Sequence, residues 1–306
     1  MSLIECVPNF SEGRRPEVIE AIKAAILQED VYLLDVSADV DHNRCVITFA
    51  GEPEPVQAAM YRGAEVAVSL IDLDQHRGVH PRIGAVDVIP FVPLRDISLT
   101  ACVQIAREFG KRLADGLDIP VYLYEAAALR PDRKDLAHIR RGGYEALKTA
   151  ISTDPDRAPD FGPCYVGRAG AVAVGARGLL IAFNVYLQTS DVTIAKQIAS
   201  AIRAANGGLP QIKALGLLVG GRAQVSINLI NYRVTSLYML MNAVCDHAAR
   251  LGVSVESSEL VGLVPQAALI ETALAALRLS PAVGELILER RLGDATGDYR
   301  EVNSGW

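Results

Sequence analysis

The chain has 306 residues, half of them apolar, which is enough for two domains with separate cores and excludes an intrinsically disordered chain. Thirty Lys and Arg stand against 36 Asp and Glu, for a net charge of −6. That balance argues against a partner made of nucleic acid phosphates, while leaving room for local basic pockets that take small anions.

In chain order, Leu3 to Phe10 reads as a strand and Arg15 to Gln28 as a helix, with Pro16 suited to its first turn. Val31 to Val36 and Cys45 to Ala50 are apolar strands separated by the polar run Asp39-Val40-Asp41-His42-Asn43-Arg44. Pro55 to Leu70 has helical spacing, Val86 to Pro93 reads as a strand, Leu99 to Ala114 as a helix, and Val121 to Glu125 as a further strand. The order is βαββαβ with an appended helix and strand. A Pro-, Asp- and Gly-rich stretch, Ile151 to Gly178, reads as the joint between domains 1–177 and 178–306.

The second half repeats the pattern. Strands Leu179 to Leu187, Lys213 to Val219, Gln224 to Tyr232 and Val253 to Val261 alternate with helices from Asp191 to Ala205 and from Ser236 to Leu251, and Gly220-Gly221 forms the turn between the middle strands. The expected fold class is α/β (α+β), as two tandem ferredoxin-like βαββαβ subdomains, each an antiparallel-rich sheet with helices on one face. A helix near Pro265 to Leu277 follows, then a short one from Gly284 to Arg291, with a frayed tail from Gly293.

No apolar run approaches the ~20 residues of a membrane span, and the N-terminus lacks a basic segment leading into an apolar one, so a cytoplasmic chain without a membrane partner is expected. The five cysteines are dispersed without a C-x-x-C pair and read as buried reduced thiols.

Chemistry concentrates in His76-Arg77-Gly78-Val79-His80-Pro81-Arg82-Ile83-Gly84-Ala85-Val86-Asp87. Two histidines four apart suggest helical zinc ligation, but Gly78 and Pro81 oppose a helix and Arg77 stands where a metalloprotease glutamate belongs. A loop imidazole pinned between arginines suits proton transfer or anion binding, with a plain solvated histidine as the alternative. His42, between Asp41 and Arg44, has a milder claim. Gly162 to Gly170 reads either as a linker or as a ligand-covering loop, and lacks the G-K-[ST] of a nucleotide P-loop. Asn9, Asn184 and Asn228 interrupt apolar strands and need partners if buried; their amide edges suit a heterocycle or an amino acid.

Together these blocks resemble the formiminotransferase family of histidine degradation. The resemblance rests on Glu5 to Gly13, Asp41 to Arg44, His76 to Gly84, Asp118 to Tyr124, Asp160 to Pro163, Leu180 to Asn184, Gln224 to Ser226 and Glu259 to Pro265. It implies transfer of a formimino group from N-formimino-L-glutamate to N5 of tetrahydrofolate as co-substrate, by two α/β subdomains with a substrate cleft between them. It implies His80 as the catalytic histidine and Gly162, Pro163, Cys164, Tyr165, Val166, Gly167, Arg168, Ala169 and Gly170 as the folate-covering stretch. Asn9, Asp39, His42, Arg44, Arg82, Asn184 and Asn228 are the candidates for substrate contacts, with Arg44, Arg82 and Arg168 suited to carboxylates.

The chain departs from animal members, which carry an acidic residue at the place of Ser37, so the group that orients His80 is sought among Asp35, Asp39 and Asp41. The stretch at Gly162 to Gly170 is also shorter than theirs and lacks a tryptophan. Their helical cyclodeaminase domain is not expected here. The reaction needs one imidazole as base and then acid, and no metal is expected. Arg77 and Arg82 are expected to depress the imidazole's pKa. A glutamate N-formyltransferase using 5-formyltetrahydrofolate, a folate-binding module without turnover, and a His76/His80 zinc hydrolase are the alternatives, and a homodimer is one candidate assembly.

Overall fold

The computed structural model describes residues 1–297 and Tyr299. It consists of two compact units, Met1–Leu179 and Leu180–Trp306.

The first unit runs β1 (Leu3–Cys6), β2 (Asn9–Phe10), α1 (Pro16–Ile26), β3 (Tyr32–Asp39), β4 (Arg44–Gly51), α2 (Pro53–Leu70), β5 (Val86–Arg95), α3 (Leu99–Leu117), β6 (Val121–Glu125), α4 (Leu136–Ile139), α5 (Gly143–Ala150) and β7 (Val172–Ala176). Helix α1 starts at a proline whose missing N–H costs nothing there, and it buries Val18, Ile19, Ile22 and Ile26. The N–H groups of Arg14 and Arg15 just before it donate to the Glu12 carboxylate at 2.9 Å. The expected single strand from Leu3 to Phe10 is broken at Val7-Pro8, because Pro8 has no N–H for a ladder; its carbonyl still accepts from Ile47 N at 3.3 Å.

Strand β4 lies between β3 and the β1–β2 pair, which in turn contacts β5, all antiparallel, in the order of a split βαβ unit. The sheet then continues beyond β5 with β7 and β6, both in parallel pairing. Strand β7 corrects the sequence reading, since it lies inside the stretch expected to be a joint. All five of its residues are buried, as suits a parallel strand enclosed on both faces, so it shows no alternation to read.

The second unit runs β8 (Ile181–Leu187), α6 (Val192–Ile202), β9 (Ile212–Val219), β10 (Arg222–Leu229), α7 (Leu237–Arg250), β11 (Val255–Val261), α8 (Gln266–Ala276) and α9 (Leu288–Thr296). Its four strands are antiparallel in the order β11-β8-β10-β9, the ferredoxin-like arrangement. Gly220 and Gly221 both adopt positive φ, 55° and 75°, as a two-residue hairpin turn that follows the sheet twist requires. Asp191 and Ser236 cap α6 and α7. Helix α9 continues through Gly293, where a frayed tail was expected; of that tail beyond residue 297, only Tyr299 is described. Cys6, Cys45 and Cys102 are buried, whereas Cys164 is exposed and Cys245 half-buried, so the expectation of buried thiols fails at two positions.

Gly84 and Gly170 face each other across an isolated bridge that fastens the loop before β7 to the segment leading into β5. A Cβ at Gly170 would lie 2.2 Å from the Ile83 carbonyl oxygen and φ there is +76°, whereas Gly207, with φ +83°, has open space around it. Gly207→Ala should therefore cost about 1 kcal/mol of left-handed strain, and Gly170→Ala about 2 kcal/mol or more, because backbone must also shift. Urea midpoints of the two variants check this, and equal losses would contradict it.

Candidate active site

The site is assembled around the turn between β3 and β4. Asp39 Oδ1 accepts from His42 N at 2.7 Å and closes the turn, while Asn43 adopts a left-handed φ of 48°. The Asn43 amide then ties two other segments to the turn. Its Oδ1 accepts from Gly13 N at 2.9 Å, and its Nδ2 donates to the Arg77 carbonyl at 3.0 Å. Around this turn Ser11, His42, Asn43, Arg44, His76, His80, Arg82 and Asp87 line one small recess.

His76 is buried and both ring nitrogens are engaged. Arg82 Nε can only donate, so Nδ1 is the acceptor at 2.8 Å and Nε2–H donates to the Asn43 carbonyl at 2.9 Å. That leaves His76 no lone pair for a metal, which removes the geometric basis of a His76/His80 zinc pair. Arg82 is committed elsewhere than expected. Besides His76 it pairs with Glu145 of α5 at 2.9 Å, so its guanidinium serves the framework of the recess.

Asp87, 2% exposed, accepts from Ile83 N at 2.8 Å and forms an ion pair with Arg140, just after α4. Ser11 Oγ donates to the Gly84 carbonyl at 2.7 Å. These bonds hold the segment carrying His80 from both sides.

His80 itself is half-buried. Arg44 Nη1 lies 2.8 Å from its Nε2, and Nδ1 lies 2.8 Å from the Pro81 carbonyl oxygen. A guanidinium only donates and a carbonyl only accepts, so the imidazole is the neutral tautomer with its proton on Nδ1. The orienting group is therefore the Pro81 carbonyl and not Asp35, Asp39 or Asp41. Burial, followed by the charges of Arg44 and Arg140, holds the His80 pKa well below the ordinary imidazole value. The direction agrees with the sequence expectation; Arg77 and Arg82 are not its principal causes. Arg77 is exposed and turns back to the carbonyls of Asp74 and His76. Arg44 is lowered to about 10, chiefly by burial, and remains charged at neutral pH.

His42 stands beside His80, ring centroids 5.7 Å apart, and its Nε2 and the Arg44 Nε are buried without hydrogen-bond partners. The recess thus offers an acid–base imidazole, a charged guanidinium with unused hydrogen-bonding capacity, and a further unpaired ring nitrogen.

The other candidate residues are dispersed. Asn9, in β2, is buried and donates from Nδ2 to the Val7 carbonyl at 3.0 Å, with Oδ1 unpartnered. Gly162 to Gly170 is anchored at both ends and does not line the recess. Val121 N donates to the Phe161 carbonyl at 2.9 Å, and Ala85 N to the Ala169 carbonyl at 2.8 Å. Between those anchors, Cys164, Tyr165, Gly167 and Arg168 are exposed, Pro163 is half-buried and Val166 is buried. In the second unit Asn184 is buried and donates to Glu259 Oε1 at 3.0 Å, as does Tyr186 OH at 3.0 Å. Asn228 is exposed and so needs no buried partner, because it lies on the face of β10 opposite to buried Val225, Ile227 and Leu229.

Sequence reading missed Glu145 and Arg140, and it named Asn43 and Asp87 within their polar clusters without giving them a role. A carboxylate in an otherwise apolar strand was the available signal for Asp87's part, since a buried charge requires a cation. The recess sets a neutral imidazole beside a charged guanidinium, groups that acid–base chemistry on an anionic small molecule would use.

Comparison with known proteins narrows that class. Residues 3–177 match the model described as the formiminotransferase domain, N-terminal subdomain, and residues 182–278 match the formiminotransferase domain. A glutamate formimidoyltransferase of Thermoplasma acidophilum is 50% identical over 300 residues, covering 96% of this chain and 99% of that one. A glutamate formimidoyltransferase of Streptococcus pyogenes is 42% identical over 275 residues, covering 89% and 92%. The formimidoyltransferase-cyclodeaminase of Sus scrofa is 43% identical over 281 residues, covering 89% of this chain and 52% of that protein. The chain belongs to the formiminotransferase family.

The Asp87–Arg140 pair is a buried one, with side chains 2% and 13% exposed. Arg140→Met should cost about 3–5 kcal/mol by leaving Asp87 without its cation, and the double variant Arg140→Met/Asp87→Leu should recover most of it. Chemical denaturation of the parent, Arg140→Met and the double variant checks this; a double variant no more stable than Arg140→Met would contradict it.

Proposed function

We propose that this chain transfers the formimino group of N-formimino-L-glutamate to N5 of tetrahydrofolate, releasing glutamate and forming 5-formiminotetrahydrofolate. The observation that carries the reading is His80, a neutral imidazole whose Nδ1–H is fixed on a backbone carbonyl and whose single lone pair, on Nε2, belongs to the recess. The 50% identical relative named glutamate formimidoyltransferase supports formimidoyl transfer involving glutamate.

In the reaction N5 bonds to the amidine carbon and loses a proton to Nε2 of His80. The tetrahedral adduct then breaks its bond to the glutamate nitrogen, which takes that proton back from the imidazolium. The surrounding cations suit both halves of the cycle. Arg44 and Arg140 keep the resting imidazole neutral, and the charge of Arg140 still favours proton release from the imidazolium to the leaving nitrogen. Arg44 is the partner assigned to a substrate carboxylate, since a guanidinium holds one through two parallel hydrogen bonds. The loop 162–170, anchored beside Gly84 and Ala85, is assigned to the folate, and the reaction belongs to histidine degradation.

Assaying formiminoglutamate and 5-formyltetrahydrofolate side by side tests the donor class; faster formyl than formimino transfer would reverse the assignment. His80→Ala or His80→Asn should lower kcat by ~10²–10⁴ with folate affinity within a few-fold of the parent. His76→Ala should cost far less in kcat and more in stability, its nitrogens being spent on Asn43 and Arg82. Steady-state kinetics with binding titrations separate these outcomes, and a His80 variant with parental turnover would remove His80 from the mechanism.

The acid limb of kcat/KM reports His80 in the free enzyme. Because its pKa is held down, the neutral base persists below the ordinary imidazole value and the rate falls only at lower pH. An acid limb centred at or above pH ~6.5 would contradict this.

A further inference from the structure

Arg44 and Arg82 line the recess and Arg140 pairs with its Asp87, so that Arg82 is neutralised by Glu145 and Arg140 by Asp87. Arg44 forms no ion pair among the described residues. Its Nη1 donates to His80 Nε2 at 2.8 Å, and its Nε is buried without a partner. Since the other imidazole nitrogen carries the proton given to Pro81, Arg44 occupies the one lone pair with which His80 can accept a proton. The base is present and covered.

We propose that Arg44 is a positioning residue that covers Nε2 of His80 until a carboxylate of the glutamate portion of the substrate draws its guanidinium away, so that the base is exposed only when the amino acid is bound. This rests on the formimino-transfer reading above. The exchange is favourable because an ionised carboxylate accepts two charge-assisted hydrogen bonds, whereas Nε2 accepts one as a neutral group. It also couples binding to chemistry, since a donor without the carboxylate leaves the lone pair blocked.

The charged and titratable groups around His80 are Asp39, His42 and Arg44 from the β3–β4 turn and the strands beside it, Asp87 from β5, Arg140 after α4, and His76 and Arg82 from its own segment. Of the cations among them, Arg44 alone changes partner under the proposal. Its neutralisation relieves one of the two guanidinium charges that hold the imidazole in its neutral form.

The test is NMR titration of the intact chain with 13C-labelled histidine, the His80 signal being assigned by its loss in His80→Asn. Glutamate should raise the His80 midpoint by about one pH unit, and the diamide of glutamate, which lacks both carboxylates, should not. In Arg44→Gln the midpoint should already be raised and should no longer respond to glutamate, while Arg44→Lys, which keeps the charge, should restore a low midpoint. An unchanged wild-type midpoint at saturating glutamate would overturn the proposal, as would failure of glutamate to bind by calorimetry or an Arg44→Gln midpoint equal to the parent's. The wild-type titrations decide the matter even where a variant does not fold. A glutamate-linked shift without formimino transfer in the enzymatic assay would instead count against the proposed reaction and leave the Arg44 coupling standing.

Discussion

Close backbone contact among three chain segments underlies the site. The loop after β2, the turn between β3 and β4, and the segment ahead of β5 meet so tightly that two of their positions admit only glycine. A Cβ at Gly13 would lie 2.2 Å from the Asp39 carbonyl oxygen, and one at Gly78 would lie 2.3 Å from that of His42. Asn43 completes the junction by bonding to Gly13 and Arg77 with opposite ends of its amide. Residues distant in sequence thereby come to surround one imidazole.

Electrostatics follow from that packing. Bringing several arginines into a small recess is unfavourable unless each acquires an anion or an acceptor. Glu145 and Asp87 serve Arg82 and Arg140, and the imidazole lone pair serves Arg44. The same arrangement disfavours an imidazolium at His80, so the neutral state needed by a proton acceptor is a consequence of how the cations are partitioned. Neutrality of His80 and the unspent charge of Arg44 are two results of one contact.

The second unit was legible because Val225, Ile227 and Leu229 alternate along β10, Gly220-Gly221 marks the turn before it, and the helices carry caps at Asp191 and Ser236. The last strand of the first unit was not, since Val172–Ala176 is buried throughout and glycine-rich sequence precedes it. His80 and Arg44 stood out in dense local clusters of polar residues. The task of Arg82 did not, because Glu145 lies 63 residues further along the chain. Asn228 shows the converse: alternation with Val225, Ile227 and Leu229 already assigned it to the open face, and the apolar character of the run obscured that. The identity of the group orienting His80 was beyond any side-chain pattern, since it is a backbone carbonyl.

A crystal structure of the chain with tetrahydrofolate and glutamate bound should show N5 of the pterin within hydrogen-bonding distance of His80 Nε2, with a glutamate carboxylate on the Arg44 guanidinium. A pterin bound away from the segment 76–87, with Nε2 of His80 remote from N5, would contradict it.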